Sequence, residues 1–327
     1  MDKIKWGVLG TASIARGCTI PGMQMAEDCE LTAIAGRSLN KALEFQKEFG
    51  FLKAYGSYEE LLADPQIQTV YIPLPNNLHY EWCLKAIRAG KHVLCEKPLT
   101  PTKTQAEELF AAAKETGVFL MEAFAYLHSP YVASLLAEVK NKTIGDIKYI
   151  ESAFMVQSCK DNDIRMYREN YGGAFYDLGC YCLSLMIRLL GAAPSNVKAL
   201  AEFSERHIDL FSTAHLTFPG GVRASINAGM IFGNERNSRM DRLYIHGTKG
   251  SILSAVEYNQ SGDLSYTVCV DGKQEVKTVH ARQNYCLEVE QFCRSIRKKE
   301  APLVDADFSI QNAGALEMIC KAFGYFD

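Results

Sequence analysis

GVLGTASIARG, residues 7–17, closes an apolar run and carries small residues at fixed steps: Gly7, Gly10, Ala12 and Ala15. Gly10 to Ala15 is a variant of the G-x-G-x-x-G turn, with alanines at its second and third places. Small residues there let backbone approach a pyrophosphate and let a helix pack on the preceding strand. A strand pattern, Ile4–Leu9, stands before the turn and a helical pattern starts near Ser13. The free N–H groups and positive dipole end of that helix are then aimed at phosphate. The turn alone is a weak signal; between a strand and a helix it predicts a dinucleotide held by Gly10, Thr11, Ala12, Ser13 and Ile14.

Working outward, apolar runs recur at Leu31–Ala35, Thr69–Ile72, His92–Cys95 and Val118–Met121. Helical spacing fills the gaps at Ile14–Met25, Asn40–Phe49, Tyr58–Leu62, Asn77–Ala89 and Lys103–Glu115. Strand and helix taking turns predicts a doubly wound parallel sheet. After about Ala125 the rhythm changes. Helix Pro130–Lys140 leads to strand Ile147–Val156, a helix follows Gly172-Gly173, and seven strand-like runs lie between 197 and 280. Pro219-Gly220-Gly221 and Asp271-Gly272 read as hairpin turns. Helices Asn284–Arg297 and Asp305–Phe323 close the chain. The expected fold class is α/β: a Rossmann domain over 1–124, then an α+β domain over 125–327 with a large, mostly antiparallel open sheet. The C-terminal helix is expected to pack back on the first domain.

Composition excludes several classes. The 327 residues carry a net charge of −3, which argues against a nucleic-acid partner. The N-terminus enters a strand directly, with no leader-like apolar segment, and no apolar run approaches ~20 residues. A cytoplasmic protein without membrane contact is expected. The eleven cysteines are scattered, with no C-x-x-C, and the seven histidines show no H-x-x-x-H. They read as reduced thiols, and no metal site is expected.

The second strand ends in Gly36-Arg37-Ser38. An NAD-specific site usually has a carboxylate here for the ribose hydroxyls, whereas a guanidinium and a hydroxyl suit a 2′-phosphate. A solvated arginine after a strand would look the same; the reading favours NADP, with NAD as the alternative. Leu74-Pro75-Asn76 follows the third long strand, exposing backbone at the carboxyl edge where open α/β sheets hold ligands. His79 is either a surface histidine on a helix's first turn or a partner of Glu96 or the cofactor. Glu96-Lys97-Pro98 leaves the next strand at the same edge, which puts Lys97 beside the nicotinamide end. Proline at 98 fixes the chain direction behind the lysine.

In the second half, YGGAFYDLGCYCLSL (171–185) begins a helix from about Ala174 to Leu190. Asp177 and Tyr181 are four apart and share a face. A helical tyrosine is usually half-buried packing, and an early aspartate usually complements the helix dipole. Together, GVLGTASIA, PLPNNLH, CEKPL, MEAF and YRENYGGAFYDLGCY resemble the glucose–fructose oxidoreductase/inositol dehydrogenase (Gfo/Idh/MocA) family across essentially the whole chain. Within it the chain is most similar to the branch of dihydrodiol dehydrogenases and NADP-linked aldose dehydrogenases. That branch carries tyrosine at position 181 but often an arginine where this chain has Leu127. The resemblance implies Lys97 and Tyr181 as the catalytic pair, Asp177 orienting substrate, and Tyr167-Arg168 near cofactor and substrate. It also implies a homodimer or homotetramer through the second domain's sheet. Hydride transfer at a secondary or anomeric alcohol of a sugar, polyol or cyclic diol is expected. The alternative is a non-catalytic NADP-binding redox sensor or regulatory module.

Overall fold

The computed structural model describes residues 2–156, 162–231, 239–256 and 258–327. The chain forms two compact units. One comprises Met1–Thr100, Thr104–His128 and Arg282–Ser309; the other comprises Pro101–Lys103, Ser129–Ala281 and Ile310–Asp327.

The first unit holds strands β1 (Ile4–Leu9), β2 (Cys29–Ala35), β3 (Lys53–Tyr55), β4 (Thr69–Ile72), β5 (His92–Glu96) and β6 (Leu120–Ala123). Every pairing is parallel and the order is β3-β2-β1-β4-β5-β6, the doubly wound Rossmann order. The central strands are mostly apolar because both faces are covered, with Lys5, Thr69, His92 and Glu96 at or near their ends. Their side chains nevertheless alternate between faces. Val70, Ile72, Val93 and Cys95 share a core with residues of the helices Tyr58–Ala63, Asn76–Arg88 and Lys103–Thr116. Tyr71, between two of them, points to the opposite face and meets Thr19. That second face also receives a helix from far along the chain, Asn284–Lys298, where Phe292 sets its ring edge-on to Trp6 at 6.0 Å. Both rings are fully buried, and losing either would cost about 3–5 kcal/mol.

The second unit is built on an eight-stranded sheet: β7 (Ile147–Val156), β8 (Asn196–Phe203), β9 (Asp209–Thr217), β10 (Arg223–Gly229), β11 (Arg239–Gly247), β12 (Gly250–Ser254), β13 (Gly262–Val270) and β14 (Lys273–Ala281). The order is β14-β13-β12-β11-β7-β10-β9-β8, antiparallel except for the central β7–β10 pair. One face packs inward through Ile150, Ile226, Leu243, Ile245, Ile252 and Val268. The register carries Leu200, Thr213, Asn227, Ala153, Arg242, Tyr244, Leu253, Thr267 and Val276 across the other face. On it Leu200 and Val276 are 74% and 67% exposed. The helix Cys180–Leu190 is buried on nearly every side, as a core helix of a globular unit is. The stretch Arg168–Leu190 is long and apolar enough to span a bilayer by composition, and 78% of its most apolar window is buried inside the protein. The ten described cysteines are free thiols; Cys159 lies outside the described residues.

Candidate functional site

In the first unit the strand order reverses between β1 and β4, and ligands of such sheets lie beyond the carboxyl ends there. Gly10 leaves β1 at φ +128°, a conformation open to glycine, and its N–H donates to Ala35 O. A Cβ at that position would press on Leu74 at 3.0 Å, so the bare Cα keeps the two strand ends close. Thr11 and Ala12 are half-buried, Ser13 and Ile14 exposed, and the helix rises from Ser13. Its next turn is wide: Ala15–Thr19 is π-helical, with Ile20 N–H bonded to Ala15 O. A turn of this kind is frequent beside functional sites. Arg37 and Ser38 end β2 exposed, and no carboxylate stands in Gly36-Arg37-Ser38. The cradle at Gly10 and the cationic end of β2 fit a phosphorylated dinucleotide.

Lys97 is the half-buried residue of a loop fixed on both sides. Before it, Tyr71 donates its hydroxyl to Glu96 Oε1 at 2.6 Å, and Tyr71 Oη also meets Thr19 Oγ1 at 2.9 Å. Burial and the Glu96 carboxylate push the Tyr71 phenol well above its ordinary pKa, so it stays a donor. After Lys97, the Pro98 carbonyl lies 2.8 Å from His79 Nδ1, and Leu99 N–H donates to Glu122 Oε1 at 2.8 Å. The Lys97–Pro98 peptide is cis. His79 Nε2 sits 2.8 Å from Leu74 O, beside Leu74-Pro75-Asn76 at the start of the helix Asn76–Arg88. The surface alternative for His79 is thus overturned. The ring is wholly buried, and burial lowers its pKa against the pull of the two carbonyls. Glu122, the acid of the MEAF motif, is the anchor that sequence reasoning quoted without giving a role.

In the second unit, Tyr167-Arg168 precedes the double glycine. Arg168 donates to Asp327 O at 2.9 Å and lies 5.9 Å from the Tyr325 ring, so it braces the chain terminus. The glycines make room for the protein itself. Carbonyls of Arg165 and Tyr167 crowd Gly172, and the buried Asp209 carboxylate fills the space beside Gly173. The helix that follows also opens with a π turn, Phe175–Gly179. Asp177 sits in that turn and accepts from Arg165 Nη1 at 3.0 Å. Arg165 in turn grips Asp163, whose pKa falls because of those hydrogen bonds. One turn on, Tyr181 is 9% exposed, its ring 5.4 Å from Phe154 and 5.2 Å from Tyr258. Asn259 Nδ2 donates to Tyr181 Oη at 3.2 Å. Arg165 and Asn259 were missed from sequence. The first stands two residues before YRENYGG, and the second opens a polar stretch, Asn259-Gln260-Ser261, that reads as an ordinary loop.

Three comparisons bear on the chain. Residues 4–124 match the model of an oxidoreductase family with an NAD-binding Rossmann fold, and residues 132–253 match the GFO/IDH/MocA C-terminal domain. The D-xylose 1-dehydrogenase (NADP(+)) 2 of Haloferax volcanii is 32% identical over 97% of this chain and 96% of its own. The trans-1,2-dihydrobenzene-1,2-diol dehydrogenase of Xenopus tropicalis is 34% identical over 76% of this chain and 74% of its own. A crystal structure of a 3-ketoreductase from Actinomadura kijaniata with NADP and TDP-benzene is 29% identical. It superposes with a TM-score of 0.91 over 98% of each chain. Variants of that ketoreductase with a single tyrosine or lysine replaced have also been solved. The replaced lysine and tyrosine lie 84 residues apart, as Lys97 and Tyr181 do here.

Proposed function

The chain belongs to the GFO/IDH/MocA oxidoreductase family, and from that premise we propose an NADP-dependent dehydrogenase or reductase acting on CH–OH groups. The substrate class is a sugar, polyol or cyclic diol bearing a secondary or anomeric hydroxyl, or the matching carbonyl compound. The named relatives support this class.

NADP supplies the hydride acceptor and donor at nicotinamide C4. Backbone N–H groups from Gly10 to Ile14 receive its pyrophosphate, and Arg37 with Ser38 receives the 2′-phosphate. Leu74, Pro75 and Asn76 line the nicotinamide side, with Glu96 and Lys97 beyond them. His79 contributes from between the Leu74 and Pro98 carbonyls, donating to one of them.

In this reading Lys97 and Tyr181 act as the acid/base pair. An ordinary phenol, with a pKa of about 10, is a poor base near neutrality. A neighbouring ammonium favours its phenolate and brings it within working range. In oxidation Tyr181 takes the hydroxyl proton as hydride leaves; in reduction it returns that proton to the carbonyl oxygen. Asp177 orients substrate, already held by Arg165. The observation that carries the reading is the triple anchoring around Lys97, through Tyr71, His79 and Glu122. Fixing the residues on both sides of a lysine is what positioning a charged catalytic group requires. The equal lysine–tyrosine spacing in the ketoreductase is independent support.

Lys97→Met and Tyr181→Phe test it. With a panel of aldoses, polyols and cyclic diols, each should lose about 10²- to 10⁴-fold in turnover while NADP affinity holds. Near-normal turnover in both would refute the assignment. Copies of the chain are proposed to pair through the outer face of the eight-stranded sheet, where Leu200, Leu253 and Val276 stand exposed. Light scattering behind gel filtration reads the copy number.

A further inference from the structure

Asn259 holds φ +60°, in the left-handed region that asparagine, aspartate and glycine enter most readily. Tyr258, just before it, is fully buried: its ring stacks on Phe154 at 5.1 Å and its hydroxyl meets Ser152 Oγ at 3.2 Å. Tyr258 N–H also donates to Asp241 Oδ2, and its carbonyl accepts from Arg239 Nη2 at 2.7 Å. The loop is therefore fastened on both sides of its main chain, and the Asn259 amide is delivered to Tyr181 Oη at 3.2 Å. Asn259 Oδ1 is buried and, among the described residues, has no hydrogen-bond partner. The half-buried amide, by donating to the phenol oxygen, stabilises the form in which that phenol is negative.

We propose that Asn259 is the positioning residue that sets the ionisation of Tyr181, donating to the phenol oxygen so that its phenolate forms at lower pH and its O–H, when present, points away from Asn259. The inference rests on the acid/base reading of Tyr181 given above. Other charged groups around the ring are already matched. Asp177, on the same helix, is paired with Arg165. Arg239 and Asp241 on β11 are locked in a bidentate pair, with the Arg239 guanidinium 4.6 Å from the Phe154 ring centre. The Cys182 thiol, next along the helix, is pushed up to about 12 by burial and stays neutral. The Asn259 amide differs from all of these in touching the phenol oxygen itself.

Asn259→Asp is close to isosteric, tolerates the same φ, and replaces the donor by a carboxylate. Its Tyr181 ionisation should rise by about one to two pH units, read by NMR on protein labelled with carbon-13 at tyrosine Cζ. The Tyr181 signal is identified by its loss in Tyr181→Phe. The acidic limb of kcat/KM for alcohol oxidation should move up equally, with NADP affinity unchanged. Asn259→Leu should shift both in the same direction by less. An unmoved or lowered ionisation in Asn259→Asp overturns the role of Asn259, and leaves the acid/base reading intact if Tyr181→Phe is inactive. Should Tyr181→Phe keep normal turnover, the catalytic reading falls, and the NMR titration still decides whether Asn259 controls the phenol.

Discussion

Asp209 puts a carboxylate oxygen in the volume that a side chain on Gly173 would occupy. The residue is wholly buried, and its Oδ2 accepts from Phe175 N–H at 2.8 Å and from Ser212 Oγ at 2.9 Å. It thus ties the first turn of the helix bearing Asp177 and Tyr181 to the start of β9. Gly173 serves twice, since its φ of +112° also suits glycine. Gly173→Ala should therefore destabilise the protein by about 2–4 kcal/mol, measured by urea unfolding. A loss within 0.5 kcal/mol, roughly that of a neutral surface change, would show that Asp209 can step aside.

The same burial pushes the Asp209 carboxyl up to about 7, against the pull of the Phe175 and Ser212 hydrogen bonds. Its folded pKa lies above the unfolded one. Between about pH 4 and pH 7 the unfolded chain has released this proton and the folded protein still holds it. Stability from this group is accordingly full at low pH and declines as pH rises through that window, by up to about 4 kcal/mol. Asp209→Asn lacks the titration. Its stability relative to the unsubstituted protein should improve between pH 5 and pH 8. A stability difference that stays flat over that range would mean that Asp209 ionises as an ordinary carboxyl.

A parallel strand covered on both faces reads as a mostly apolar run, which is why Ile4–Leu9 and Thr69–Ile72 were legible to the residue. β3 was not, because three half-buried residues at a sheet edge, Lys53–Tyr55, are too short to show a period. Small residues announced the turn at Gly10 and the approach at Gly173, but not what approaches. At Gly173 it is Asp209, 36 positions on, and sequence carries no mark of that pairing. Lys97 was legible as a cation at a strand end and His79 as a candidate partner of Glu96 or the cofactor; the anchoring bonds were not, since Tyr71 and Glu122 look like packing and strand residues. Asn259 meets Tyr181 across 78 positions, a separation that only the folded chain closes.

His79 joins two loops through ring nitrogens 2.8 Å from Leu74 O and Pro98 O. Burial holds its pKa below the ordinary value, so the ring is neutral near pH 7 and donates to one of the two carbonyls. His79→Leu leaves that carbonyl buried without a donor, at a cost of about 1–3 kcal/mol. It should also weaken NADP binding and turnover together, because the loop whose carbonyl it holds is released. There is a pH signature. The unfolded chain takes up a proton on His79 below about pH 6.5 and the folded protein resists, so acid erodes stability. Thermal unfolding from pH 7.5 to 5.5 should fall more steeply for the unsubstituted protein than for His79→Leu, and parallel curves would contradict the depressed pKa.

Arg37 stands exposed at the end of β2, followed by Ser38 and the helix Leu39–Phe49. Its charge reaches Tyr58, where it opposes the upward push of burial on the phenol, so a positive field persists at this strand end. A 2′-phosphate placed there gains charge-assisted hydrogen bonds worth about 1.5–3 kcal/mol, which corresponds to about ten- to a hundredfold in affinity. Arg37→Asp removes those bonds and adds repulsion. The same carboxylate can accept from the two ribose hydroxyls of NAD, as the acid at this place does in NAD-specific sites. NADP affinity should therefore fall at least tenfold and NAD affinity should rise, each followed by reduced-nicotinamide fluorescence. The unfolding temperature should hold, because the side chain is exposed. If both affinities fall alike, Arg37 is stabilising the strand end and not reading the phosphate, and the preference for NADP must come from elsewhere in the turn after β1.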